Sequence, residues 1–80
     1  MLTDRRIKKA KPEEKEYEIS DGRGLNIRIR PKPSGTKVFF HRFTFEGKER
    51  RKVIGNYPDI SLAEAREVVQ EEKKLLRQGI

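Results

Sequence analysis

The sequence has no cysteine and a single histidine, His41. Without cysteine there is no disulfide and no thiolate chemistry, and one histidine does not furnish the donor set of a zinc site. No cofactor or metal is expected. No apolar run approaches the roughly 20 residues that cross a bilayer, so no membrane partner is expected. The first residues, Met1-Leu2-Thr3-Asp4-Arg5, lack the apolar stretch of a secretory signal. A soluble, cytoplasmic protein is the expectation. Hydrophobic residues make up only 32% of 80 residues, enough for one small domain with a thin core. No nucleophile, base and orienting group converge in the chain, so no catalytic residue is assigned.

Charge is plentiful and unevenly spread. Twenty Lys and Arg face thirteen Asp and Glu, a net charge of +7. Residues 25–53 hold nine basic and two acidic side chains, a local net of +7, while the flanks nearly cancel. A basic small domain calls for a polyanionic partner, most often nucleic acid.

Thr3 and Asp4 suit the start of a short helix, with Leu2 and Ile7 as a hydrophobic staple, and Pro12 bounds it. Tyr17-Glu18-Ile19 alternates and leaves room for a short edge strand. Asp21-Gly22-Arg23-Gly24 is turn chemistry. Leu25 to Arg30 alternates apolar and polar without a fault, the signature of a half-buried strand. A second strand is predicted over about Lys37 to Phe45, a tight hairpin turn at Glu46-Gly47, and a third strand over about Lys48 to Ile54, stopped by Gly55-Asn56-Tyr57-Pro58. Ser61-Leu62-Ala63-Glu64 is a capping box opening a helix over about 62–78, with Leu62, Ala65, Val69 and Leu76 on one stripe and Gly79 at its stop. The fold class is α+β: a three-stranded antiparallel sheet on a C-terminal helix, preceded by a short helix and an optional extra short strand.

Strand side chains alternate between faces. Leu25, Ile27, Ile29, Phe39, Phe43, Phe45 and Ile54 define the face that covers the helix. Asn26, Arg28, Arg30, Phe40, Arg42, Thr44, Arg51 and Val53 define the other. With Glu46-Gly47 as a two-residue loop, Arg42 stands directly across from Arg51, a repulsive pair worth a fraction of a kcal/mol that bound phosphates would reverse. A bulge at Gly47 would shift this pairing. Charged residues on an open sheet are ordinarily a solvated surface and deter edge pairing. The local imbalance, and the choice of arginine beside Asn26 and Thr44, favour a ligand instead. Arginine reaches guanine O6 and N7 in bidentate fashion, and asparagine does the same with adenine.

Other residues have plainer readings. His41 falls among Phe39 and Phe43 as a half-buried structural histidine. Lys52, on the core face, should lay its stem over apolar surface and keep its ammonium in water. Asp21-Gly22-Arg23-Gly24 precedes a strand and lacks the Lys-Ser/Thr of a phosphate loop. Glu67, Glu71, Glu72, Lys73 and Lys74 read as an exposed helix surface.

These pieces together carry a family resemblance. Leu2-Thr3-Asp4, Ala10-Lys11-Pro12, Asp21-Gly22-Arg23-Gly24-Leu25, Gly35-Thr36-Lys37, Arg42-Phe43 and Gly47-Lys48 occur in order. Ile54-Gly55-Asn56-Tyr57-Pro58 and Ser61-Leu62-Ala63-Glu64-Ala65-Arg66 follow, then Gln78-Gly79-Ile80. The chain resembles the N-terminal arm-type DNA-binding domain of prophage and genomic-island integrases, which are tyrosine recombinases. The resemblance implies a three-stranded sheet entering the major groove of arm-type attachment sites. It implies a non-catalytic domain, residues 1–80, of a longer integrase whose core-binding and catalytic parts lie elsewhere, working with other integrase subunits and DNA-bending proteins in integration and excision. Phe39 stands where the family often has Trp, and Phe43 where it often has Tyr. His41 and Lys52 stand where apolar residues are commoner, which implies a looser sheet–helix contact there.

The expected DNA-binding set is Asn26, Arg28, Arg30, Arg42, Thr44 and Arg51 on the reading face, with Lys37, Lys48 and Arg50 near strand ends for phosphates. Two other readings compete. A double-stranded RNA module shares the order of a helix, three strands and a helix. A protein-interaction domain would use the sheet edge or the helix to assemble recombinase subunits.

Overall fold

Thr3 caps the first helix through its hydroxyl, which accepts from Arg6 N at 3.1 Å, and Leu2 and Ile7 on either side are both buried. A computed structural model describes residues 1–79; Ile80, within the expected final Gln-Gly-Ile motif, lies outside the described residues. The elements are α1 (Asp4–Lys9), β1 (Tyr17–Gly22), β2 (Leu25–Ile29), β3 (Lys37–Phe45), β4 (Lys48–Tyr57) and α2 (Leu62–Arg77). The strands form one antiparallel sheet in the order β1-β2-β3-β4. The short edge strand at Tyr17 is therefore a full member, and the sheet has four strands where three plus an optional one were expected.

The hairpin register is the one its turn dictates. Phe45 opposes Lys48, Thr44 opposes Glu49, and Arg42 opposes Arg51. Glu46 and Gly47 both take positive φ, 53° and 76°, the geometry of a two-residue turn whose twist matches the flanking strands. The irregularity lies elsewhere, between Phe39 and Phe40, where Ile54 is the extra residue on β4. This bulge carries the strand past its expected end at Ile54, through Gly55 to Tyr57. Glycine leaves room at the bulge for Ile60. A Cβ on Gly55 would run into Ile60 Cδ1, which folds back over the strand and would have to shift.

α2 opens with the anticipated capping box: Glu64 N donates to Ser61 Oγ at 3.1 Å, and Ser61 N donates to Glu64 Oε1 at 3.2 Å. Its stripe buries Leu62, Ala65 and Val69 against Leu25, Ile27, Ile29 and Phe39, with Leu2 and Ile7 closing one end. Each large side chain sealed this way contributes about 1.5–3 kcal/mol. The stripe fades toward the C-terminus. Leu76 is half-buried and Leu75 is exposed, so Phe43 and Phe45 are half-buried beyond the core proper. One face of the sheet is thus covered by the helices, and the other is open.

Candidate functional site

The open face takes one residue in two from each strand. The registers align Glu18 with Arg28, Arg28 with Val38, Asn26 with Phe40, Phe40 with Val53, and Arg42 with Arg51. Arg30 follows β2 on the same side, reaching Glu16. The reading-face set expected from alternation is brought together: Asn26, Arg28, Arg30, Arg42, Thr44 and Arg51 share one surface.

That surface is less bare than alternation alone suggests. Every one of its four arginines has a carboxylate beside it. Arg28 Nε lies 3.4 Å from Glu16 and its Nη2 lies 3.5 Å from Glu18; Arg30 Nε lies 3.3 Å from Glu16. Arg42 is ion-paired with Glu49, and Arg51 Nη1 sits 3.2 Å from Glu18. The expected Arg42–Arg51 repulsion is thus answered from both sides. Arg51, on one edge strand, pairs with Glu18 on the opposite edge strand, the two side chains meeting over β3 and β2. In doing so Arg51 crosses Phe40, whose ring lies 5.6 Å from the Arg51 guanidinium carbon and 5.0 Å from that of Arg28. Phe40 is only 1% exposed although it points away from the core. The two cations roof it, an arrangement worth about 0.5–2 kcal/mol per contact. The lid is imperfect: Arg28 Nε is buried without a well-directed acceptor. Beside this roof Val53 stands 64% exposed, a lone aliphatic among charges.

The three expected phosphate contacts are placed differently. Lys37 shares strand parity with Phe39, and its ammonium donates to Ile7 O at 2.6 Å, at the C-terminal end of α1. It neutralises the exposed carbonyls of that short helix and is turned away from the arginine face. Lys48 and Arg50 share the parity of Phe45 and Phe43 at the hairpin end. Arg50 lines a shallow groove with Phe43, Phe45 and Leu75.

Two polar clusters behind the sheet were not anticipated. Asp21, nearly buried, accepts from Leu2 N at 2.7 Å and from Arg66 Nη2 and Nε at 2.8 and 2.9 Å. Arg66 Nη2 also donates to Leu2 O at 2.9 Å, so one clamp ties the N-terminal segment, β1 and α2 together. The Arg66 hydrogen bonds hold the Asp21 carboxyl below the usual carboxylate range, and Asp21 in turn raises the guanidinium's pKa. His41 is fully buried. Its Nδ1 lies 3.2 Å from Glu72, which also takes Lys52 Nζ at 2.9 Å. Glu72 is therefore turned inward and does not belong to the exposed helix surface. The sheet–helix contact expected to be loose at His41 and Lys52 is bridged ionically. Burial lowers the His41 pKa, with the Glu72 carboxylate opposing the shift. Among the described residues no group of three or more His, Asp or Glu side chains is placed to hold a metal ion.

Residues 2–80 match the family described as the arm DNA-binding domain. The chain belongs to this family. The arm domain is 40% identical over 80 residues to an integrase of Shigella phage Sf6 and, equally, to the prophage integrase IntS of Escherichia coli K12. It is 39% identical over 79 residues to an integrase of Enterobacteria phage P4. These alignments cover 99–100% of the chain and 18–20% of each relative, so the arm domain spans about a fifth of the length of the curated relatives it matches. No helix of the described residues is long and apolar enough to cross a membrane.

Signals for part of the missed chemistry are present in the sequence. Glu16-Tyr17-Glu18-Ile19 alternates, and pairing it beside β2 with Tyr17 and Ile19 inward puts both glutamates next to the arginines. Arg66 sits a turn beyond the cap of α2, yet nothing local points it at Asp21, 45 positions earlier.

Proposed function

We propose that the arm domain binds double-stranded DNA in a sequence-dependent manner, with the arginine face of its sheet seated in the major groove of arm-type sites. In this reading the 80-residue chain is one domain of a longer tyrosine recombinase in the cytoplasm. It positions that enzyme for integration and excision alongside other integrase subunits and DNA-bending proteins. One observation carries it: the strands gather four arginines on the face that the helices leave open. The two central strands supply Asn26, Arg28, Arg42 and Thr44, so only those strands need approach the floor of a groove about 12 Å wide. Arg28, Arg30, Arg42 and Arg51 are suited to guanine, Asn26 to adenine, and the exposed Val53 to a thymine methyl. Lys48 and Arg50 leave the hairpin end on the helix side of the sheet, so their part is at the groove's rim, toward phosphates, while Lys37 hydrogen-bonds the end of α1. Arg28→Ala and Arg42→Ala should each weaken binding of a selected duplex by about 1–3 kcal/mol in a gel-shift titration. Wild-type affinity in both would reject the face. The duplex RNA reading drew on a three-strand element order, and the fourth strand removes that correspondence. Duplex RNA of the same sequence should compete poorly. Self-association in sedimentation without nucleic acid would favour assembly through protein contacts instead.

A further inference from the structure

The acidic side chains on the open face are arranged around the arginines too regularly to be solvated bystanders. Glu18 lies between guanidinia from two strands that do not touch each other, Arg28 at 3.5 Å and Arg51 at 3.2 Å, both of which stand over the Phe40 ring. Glu16 repeats the pattern between Arg28 and Arg30, at 3.4 and 3.3 Å. A surface built only to attract a polyanion gains nothing from carboxylates at its centre, since each repels phosphate and competes for the same N–H donors.

We propose that Glu18 is a specificity-determining residue of the DNA interface, holding Arg28 and Arg51 for base edges while denying them to phosphates. The proposal rests on the sheet-face reading above. A guanidinium has five N–H donors, and Glu18 engages Nη2 of Arg28 and Nη1 of Arg51, leaving others free. A guanine edge in the groove floor is reached with the ion pair kept, and the carboxylate itself can accept from a cytosine amine. Non-specific binding is different. It is made almost wholly of phosphate contacts, for which the arginines must swing off the sheet and abandon both Glu18 and the Phe40 ring. Glu18 therefore penalises the wrong mode more than the right one, as selectivity by exclusion requires.

The test uses the 80-residue chain and two probes: a duplex selected by the wild type from a pool with a randomised centre, and a scrambled duplex of equal length and composition. Glu18→Gln should tighten binding to the scrambled duplex about fivefold and weaken binding to the selected one about twofold, so that discrimination falls about tenfold. The log–log salt slope on the scrambled duplex should steepen by about one contact, while the slope on the selected duplex stays put. Glu67→Gln, the same charge change on the exposed side of α2, should move both duplexes together. Equal shifts on both duplexes for Glu18→Gln would overturn the proposal, since Glu18 would then be mere charge. A lowered melting temperature with discrimination intact would overturn it as well, leaving Glu18 a structural brace. Arg28→Ala separates the two layers. If it changes neither affinity, the sheet-face reading itself fails; if it weakens selected binding while Glu18→Gln leaves discrimination unchanged, only the role of Glu18 falls.

Discussion

Lys37 shows how a basic side chain in a basic segment can be taken up by the fold. Its ammonium is 2.6 Å from Ile7 O and so closes the end of a helix too short to satisfy its own carbonyls. Lys37→Met should therefore lower stability by about 1–2 kcal/mol, the range of a partly screened, charge-assisted hydrogen bond. The salt slope of DNA binding should lose no contact. Thermal melts and salt titrations on the same protein check both halves, and a slope reduced by about one would return Lys37 to the phosphate set. Arg66, outside the basic segment, is likewise taken up by the fold. Its two nitrogens hold both oxygens of Asp21, a fork that lysine does not reproduce. Arg66→Lys should cost about 1–3 kcal/mol in chemical denaturation, because a nearly buried carboxylate loses a partner.

At the level of elements, the hairpin and the bulge are the two places where backbone geometry decides the outcome. Glu46 occupies a left-handed conformation at φ 53°, which costs an ordinary residue roughly 1–2 kcal/mol and asparagine less. Glu46→Asn should raise stability by about 0.5–1 kcal/mol while leaving the Arg42–Arg51 register unchanged. Denaturation and the hairpin's amide chemical shifts would report it. Gly55→Ala should do the reverse, by about 1–3 kcal/mol, since its Cβ collides with Ile60. These features also mark how far the sequence can be read. Alternation in Leu25–Arg30, the Glu46-Gly47 turn and the Ser61–Glu64 box are set by local chemistry, so faces, register and cap were legible, and with them the arginine set. The continuation of β4 beyond Ile54 was not, because Gly55 signals a stop and a bulge equally, and only Ile60 packing over it chooses between them. The burial of Phe40 was hidden for another reason. Its cover consists of long side chains arriving from β2 and β4, which are paired with the carboxylates of Glu18 on β1 and Glu16 just before it.

The whole molecule is basic, yet the two polar clusters behind its sheet are both acid-sensitive, and this shapes its response to pH. His41 is sealed between the sheet and α2, facing Glu72 and the nearby Lys52 and Lys73, and its pKa lies below the ordinary value because burial disfavours the imidazolium. The unfolded chain, with histidine near 6.5, then binds the proton that the folded chain refuses. Where the unfolded state holds more protons, stability rises with pH. Stability, followed by melting, should accordingly be level above about pH 7 and decline below about 6.5, by at most about 1.4 kcal/mol per pH unit from this one group. Asp21 acts lower down. Arg66 depresses its pKa, so its contribution is complete above the unfolded value near 3.9 and is lost as pH falls toward the folded one. Two acid steps are therefore expected in a series of melts from pH 8 to about pH 3, and His41→Gln should abolish the upper step while sparing the lower. An upper step that survives this substitution would have to come from another titrating group, and would remove the buried His41 as the source of the seam's sensitivity to acid.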